Sequence, residues 1–332
     1  MAFTDIGIDM GTSDMVVWYK GKGVIIHEPT IVAYDKERDH IVAFGEEARQ
    51  LVAHNKGNIV AIRTFRNGTI SDFQVTEQML RYYIQAAIGR NMIRKPNISL
   101  CLPSGATAVE RRAVEEAAYQ AGARDVVIVE ETVAAAIGAG IDITKPVGNL
   151  VVDIGGGTTD IAVLSIGAPV ISDSLRIAGA AFNEQIARAI RRDHNLFIDN
   201  DQVEDVKIRV GTCFKRPKVE TIQINGRNVL TGLEKTASIT SEEIREALED
   251  STSRIADAVH GVLEKTSPEL AADITTRGIV LTGGGALLDG LTELLEERTG
   301  INTMVAENPS ECVAVGTGLY CELMDRLGRI DF

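Results

Sequence analysis

Cysteine is scarce. Cys101, Cys213, Cys312 and Cys321 are scattered through 332 positions with no CxxC or CxxH spacing. That excludes a disulfide or zinc framework and fits a reducing cytoplasm. Long apolar runs are missing too: none reaches the roughly 20 residues that a bilayer-crossing helix needs. The opening MAFTDIGIDMG has neither the basic nor the apolar region expected of a secretory signal. Basic charge is in deficit, with 34 Lys and Arg against 47 Asp and Glu and a net charge of −13. Nucleic-acid binding relies on a basic footprint and is excluded as a general activity. Anionic lipid would also be repelled, so any membrane contact must be local. Low-complexity and linker-like segments are absent.

What remains is the composition of a globular chain, 45% hydrophobic and 24% charged, long enough for about two domains. Strand-like and helical patterns alternate, which reads as α/β. Apolar runs suited to buried strands cover 98–102, 126–129, 150–154 and 278–282. Thr107 with Glu110 forms a capping box before Val114, Ala117 and Ala118, and Gly122 is a plausible stop. Thr240 and Glu243 repeat the device ahead of Ile244, Leu248, Ile255, Val259 and Val262, a long amphipathic face. Residues 180–192 and 286–297 also read as helices.

One internal echo organises the reading. IGIDMGTSDMVV (6–17) and VVDIGGGTTDIAV (151–163) share a plan: apolar strand, Asp, apolar residue, Gly turn with hydroxyls, second apolar strand. Two such units suggest duplicated α/β domains facing each other across a cleft. A strand returns after each turn, so each is a β-hairpin; P-loop and dinucleotide-binding arrangements, where a helix follows, are excluded. Glycine lets successive N–H groups converge on an anion, and Thr12, Ser13, Thr158 and Thr159 add hydroxyl donors. Chain reversal alone would explain one hairpin. Two matched hairpins, each introduced by an aspartate, favour a phosphate clamp. Asp9 and Asp153 would point into the cleft from opposite domains, where Mg²⁺ takes one or two carboxylates and keeps its waters. An Asp capping its own turn is the plain alternative. A third Gly turn, IVLTGGGALLDGL (279–291), reads strand–Gly–helix, so a purine or α-phosphate could lie at a helix N-terminus. Taken alone, a tight connection explains it equally well.

GIDMGTSDMVV, VERRAVEEAAYQAGA, EETVAAAIGAG, VVDIGGGTTDIAVLS, RIAGAAFNEQI, VEDVKIRVG and RGIVLTGGGALLDGL occur in this order. The first and fourth resemble the actin superfamily; the complete series resembles the MreB/Mbl family of bacterial rod-shape proteins over essentially the whole chain. The resemblance implies an actin-like (ribonuclease H-like, duplicated) α/β fold. Each of two domains would hold a mixed sheet flanked by helices, with nucleotide in the cleft between them. Domain I would span 1–145 with a small subdomain at about 33–66. Domain II would span 146–332 with a small subdomain at about 182–242, and residues from about 318 onward would pack back on domain I.

The implied ligands are ATP and Mg²⁺. Thr12, Ser13, Asp14, Gly155, Gly156, Gly157 and Thr158 would grip the phosphates, and Asp9 and Asp153 would organise Mg²⁺ through water. Glu131 would polarise the attacking water, with Thr158 positioning it. Glu204, Asp205, Val206 and Lys207 would meet adenosine together with Gly283, Gly284, Gly285, Ala286 and Leu287. Apart from the family, Glu204 and Lys207 are three apart and share a helix face, where a surface ion pair is the plain reading. Glu131 opens a helix-like segment, where the dipole favours an acid. Three residues depart from the family pattern: Asp14 where Asn is usual, Ser13 where Ala is common, and Thr132 in place of a proline.

Met92 and Ile93, set among Arg90, Arg94 and Lys95, fall where some family members resemble one another in a membrane-inserting loop; a solvated turn is the alternative. Burying both side chains gives about 1.5–3 kcal/mol each, and each basic residue adds roughly 1 kcal/mol near anionic lipid. One subunit would bind weakly and an assembly strongly. The family further implies homopolymers of paired protofilaments on the inner face of the cell membrane, which organise the cell-wall elongation machinery. A nucleotide-binding scaffold with negligible hydrolysis is the nearest rival. A chaperone would need a substrate-binding domain after the nucleotide domain, and nothing marks the acceptor pocket of a sugar or acetate kinase.

Overall fold

The computed structural model describes residues 4–54, 57–66, 69–70, 72–89, 95–103 and 106–326. The first part of the chain runs β1 (Ile6–Met10), β2 (Asp14–Tyr19), β3 (Gly23–Pro29), β4 (Val32–Asp35), β5 (His40–Phe44), α1 (Gly45–His54) and β6 (Ile59–Ile62). It continues through β7 (Phe65–Arg66), β8 (Thr69–Ile70), α2 (Phe73–Ile88), β9 (Asn97–Leu102), α3 (Ala108–Ala121), β10 (Asp125–Glu130) and α4 (Glu131–Gly138). Then come β11 (Asn149–Ile154), β12 (Thr159–Ser165), β13 (Ala168–Leu175), α5 (Gly179–His194), β14 (Leu196–Phe197), α6 (Asn200–Val210), β15 (Thr221–Asn228) and β16 (Glu234–Thr240). The chain closes with α7 (Ser241–Lys265), α8 (Pro268–Arg277), β17 (Ile279–Thr282), α9 (Leu291–Thr299), β18 (Thr303–Val305) and α10 (Cys312–Arg326). Short 3₁₀ turns occupy Gly284–Leu287 and Pro309–Glu311.

Two five-stranded sheets carry this order. The first reads β3–β2–β1–β9–β10 and the second β13–β12–β11–β17–β18. In each, an antiparallel meander supplies three strands, and two further strands run parallel to its first. The echo in the sequence is therefore an echo in topology, strand for strand, and the expected duplicated mixed-sheet α/β fold is present. Smaller sheets, β5–β4–β6 and β14–β15–β16, are each drawn from one half of the chain.

Local chemistry explains the elements. Strands β9 and β11 are buried at every position, as their unbroken apolar runs require. The capping boxes form as read: Thr107 with Glu110 opens α3, which stops at Gly122 in the left-handed region, and Thr240 with Glu243 opens α7. Ile244, Leu248, Ile255, Val259 and Val262 are all buried along α7. All four cysteines are buried free thiols.

A separate apolar cluster lies between the sheets, built from α4, Val151, Ala162, Leu164 and Val313. Here the chain crosses from one half to the other twice, out through α4 into β11 and back through α10. The two crossing helices touch backbone to backbone, since a methyl on Gly316 would overlap the Ala134 carbonyl. Beyond that contact α10 runs onto the first sheet. Gly318 lies against the Gly7 backbone and the Trp18 ring, and Glu322 pairs with Lys20 at 2.6 Å.

One element departs from its expected form. A helix was expected over 286–297, directly after the glycines. Instead the glycines open a 3₁₀ turn, and α9 begins only at Leu291, after Gly290 adopts φ +85°. A left-handed residue cannot continue the turn into a helix, so α9 presents no N-terminus to the glycine loop.

Candidate functional site

The turn between β1 and β2 and the turn between β11 and β12 meet face to face. A methyl on Gly156 would overlap Ser13 Oγ, and one on Gly157 would overlap Thr12 Oγ1. Glycine alone permits this approach. The Gly155 N–H closes its turn on the Thr158 carbonyl at 2.9 Å. The start of α5 braces the turn from behind, Gly179 N–H donating to the Gly155 carbonyl at 3.1 Å and Ala180 N–H to that of Gly156 at 2.8 Å. Thr12, Ser13, Gly155, Gly156, Gly157 and Thr158 are thus gathered into one place.

Beneath the turns lies a cluster of acids. Asp153 and Asp160 stand directly opposite each other across β11 and β12, 2% and 0% exposed. Like charges in that relation are destabilising. Glu131, the first residue of α4, is buried nearby, and Asp9 enters from β1 in the other sheet. Thr282 Oγ1 donates to Asp153 Oδ1 at 2.6 Å, and Cys101 Sγ to Asp9 Oδ1 at 3.3 Å. Burial, reinforced by Asp14, raises the Asp9 carboxyl to about 6. Burial, reinforced by Asp9 and Asp160 and opposed by the Thr282 hydroxyl, raises Asp153 to about 7. Burial and then repulsion from Asp160, Asp153 and Asp9 lift Glu131 well above the carboxylate range.

Such a site favours a cation over ionised acids alone. Among the described residues no group of three or more His, Cys, Asp or Glu side chains could hold a metal directly. Two carboxylates raised by burial, one from each sheet, are donor chemistry that a hydrated Mg²⁺ would accept, with Asp9 and Asp153 as the groups that would hold its waters.

The adenosine candidates divide. Lys207 Nζ and Asn183 Nδ2 both donate to Glu204 Oε2, at 2.8 and 2.6 Å. The Lys207 side chain is only 15% exposed, against 43% for Glu204, and its Nζ comes within 3.7 Å of where a Gly179 methyl would sit, so Lys207 reaches toward the start of α5 that braces the hairpin. Asp205 and Val206 do not join it by side chain. At about 100° per residue four consecutive positions cannot share a helix face: Asp205 turns outward to Arg209 at 3.3 Å, and Val206 enters the core. Gly283 and Gly285 press on Ile154 at the end of β11, beside the glycine turn that follows it; Ala286 is buried, and Leu287 is 65% exposed.

Asp14 reports on both halves. Desolvation raises its carboxyl; Glu204 adds to that, while His27, Lys207 and Arg63 oppose it. A residue of β2 thus senses α6 across the cleft. Sequence reasoning missed Asp160, Asn183, His27 and the start of α5. Asp160 alone had a readable signal, as the second acid of VVDIGGGTTD, which a hairpin places opposite the first. Met92 and Ile93 lie outside the described residues.

Comparison with known proteins agrees with this geometry. The MreB/Mbl protein family matches residues 3–329. The chain is 49% identical to the cell shape-determining protein Mbl of Bacillus cereus over 325 residues, 98% of each chain. It is 43% identical to the cell shape-determining protein MreB of Escherichia coli, over 99% of this chain and 96% of that one. Crystalline MreB5 of Spiroplasma citri bound to AMPPNP superposes with a TM-score of 0.91 at 36% identity, over 97% of this chain and 96% of that one. With the same strand permutation in both halves, facing glycine hairpins and this similarity along almost its entire length, the chain belongs to the MreB/Mbl family of actin-like proteins.

Proposed function

We propose that this chain is an ATP-operated, self-assembling determinant of cell shape that works on the cytoplasmic face of the inner membrane. The observation that carries the reading is the meeting of the two glycine hairpins directly above a buried acid cluster drawn from both sheets. Relatives in the family are named for cell-shape determination, and MreB5 of Spiroplasma citri has been crystallised with AMPPNP and with ADP.

Residues 1–145 and 146–332 form the two nucleotide-embracing domains in this reading. Thr12, Ser13, Asp14 and the 155–158 turn hold the β- and γ-phosphates through N–H and hydroxyl donors. Glu204, Lys207 and the backbone of Gly283, Gly284 and Gly285 line the nucleoside. Bound Mg²⁺ neutralises developing phosphate charge and favours ionised carboxylates around it. Glu131 accepts the proton of the attacking water, and Thr158 fixes that water. A positioned base contributes ~10²–10⁴-fold, enough for a slow timer. Closure about the α4–α10 junction then orders a face that stacks copies head to tail, a heterologous contact that stays open-ended. Membrane attachment through Met92 and Ile93, and coupling to the cell-wall elongation machinery, follow from assembly. Among the described residues no helix is long and apolar enough to cross a membrane.

A second reading, a nucleotide-binding scaffold with negligible turnover, draws on one feature: burial, then repulsion from Asp160, Asp153 and Asp9, raises the Glu131 carboxyl well above the ordinary carboxylate range, which weakens it as a base. Sedimentation and phosphate release, each followed with ATP, ADP and AMPPNP, separate the two. Polymer with ATP and AMPPNP plus slow phosphate release supports the first; polymer without release supports the second; no sedimentable polymer removes both.

A further inference from the structure

Arg216 lies in the segment that leaves α6, and its guanidinium reaches the segment that leaves the Gly284–Leu287 turn. Nε and Nη2 donate to the two Asp289 oxygens at 2.8 and 2.6 Å, and Nη1 donates to Glu293 Oε1 at 2.5 Å. Backbone ties run alongside. The Cys213 N–H donates to the Asp289 carbonyl at 2.8 Å, Thr212 Oγ1 to the same carbonyl at 3.3 Å, and Thr212 and Asp289 form an isolated parallel bridge. A methyl on Gly290 would fall 2.5 Å from Phe214 Cβ, so the two segments are in close contact.

The location gives this fork its meaning. α6 packs with the small β14–β15–β16 sheet, whereas the 3₁₀ turn belongs to the end of the five-stranded sheet. On the nucleotide reading above they are the two walls of the nucleoside side of the cleft; Thr212 and Asp289 each lie two residues past the last residue of one of these elements. A planar guanidinium that engages two acids at once sets distance as well as attraction, unlike a single mobile surface pair. Its hydrogen bonds run to Asp289 and Glu293, neither of which belongs to a glycine hairpin.

We propose that Arg216 is a positioning residue for the nucleoside half of the cleft: it fixes the spacing between α6 and the Gly284–Leu287 turn through Asp289 and Glu293. The proposal rests on the nucleotide reading above. Arg216 meets no nucleotide itself; it sets the width of the slot into which the base and ribose pass.

The test uses the full chain with Mg²⁺, a fluorescent ATP analogue, and inorganic tripolyphosphate as a ligand that lacks the nucleoside. Arg216→Ala is expected to weaken the analogue roughly five- to tenfold, with the change falling in KM, and to leave tripolyphosphate affinity within about twofold. Arg216→Lys, which keeps charge but loses the fork, is expected to lie between. Exchange of the partners, Arg216→Asp with Asp289→Arg, is expected to recover at least half of the loss. Melting temperatures without nucleotide accompany each variant. Equal losses for both ligands, unchanged analogue affinity, or no recovery in the exchanged pair overturns the role of Arg216. Should Arg216→Ala not fold, the lysine and exchanged variants decide by the same criteria. Wild type that binds neither ligand overturns the nucleotide reading together with this proposal, whereas wild-type binding matched by Arg216→Ala removes this proposal alone.

Discussion

Glu131 is where binding and turnover should part. On the proposed mechanism Glu131→Gln keeps volume and removes the base, so phosphate release is expected to fall by ~10²–10⁴ while analogue affinity holds; single-turnover release beside equilibrium titration measures both. Asp14 acts in the opposite sense. A carboxylate about 4 Å from a triphosphate charge costs about 1 kcal/mol even at the screening of bulk water, so Asp14→Asn is expected to tighten nucleotide binding at least about fivefold by titration. The buried pair sets a pH dependence with a definite sign. Asp9 lies at about 6 and Asp153 at about 7, against an ordinary 3.8. The folded chain therefore retains protons that the unfolded chain has released, and stability falls as pH rises from about 4 through 7. Melting of the nucleotide-free protein is expected at lower temperature at about pH 7.5 than at about pH 5, with Asp153→Asn flattening the change. Local pattern set Asp9 and Asp153 at strand ends and Glu131 at a helix start, while the role of Glu131 came from the family resemblance alone. Their electrostatics were not legible: burial and cross-strand neighbours such as Asp160 exist only once the sheets have assembled.

At the scale of elements, the hairpin turns carry the tightest constraint. Gly156→Ala sets a methyl into Ser13, an overpacking of about 1–3 kcal/mol that the cleft can relieve only by opening. We expect it to weaken nucleotide binding tenfold or more with a melting change of only a few degrees, and Ser13→Gly in the same chain to restore part of the affinity. Titration and thermal melts on the single and double variants check this. Both hairpins, the capped helices α3 and α7 and the fully buried strands β9 and β11 were readable, because period, caps and turn residues agree there. The 286–297 segment was not: Gly290 carries no signal of its positive φ, and its conformation is set by contact with Phe214 far away in sequence. Likewise helical periodicity separates Glu204 and Lys207 from Asp205 and Val206, which family resemblance alone had grouped together.

For the whole molecule, on the function proposed above, a net charge of −13 and only two neighbouring apolar residues, Met92 and Ile93, would make attachment to lipid a collective property. Met92→Ser with Ile93→Ser is expected to leave ATP-dependent sedimentation intact and to abolish co-pelleting with anionic vesicles, both read in one spin assay. The duplicated plan was visible in the sequence, and the family resemblance implied that the chain from about 318 onward returns to the first domain; the backbone contact of α4 with α10 at Gly316 was not legible, because no local motif names it. That joint has a mechanical corollary. Two covalent strands of chain pass side by side between the halves, on backbones in contact at Gly316. A single tether would allow sliding and twist; a pair of pins allows little besides rotation about the line through them. Bending one pin without the other would strain both, so a bulky residue at position 316 is expected to jam the swing while each half stays folded.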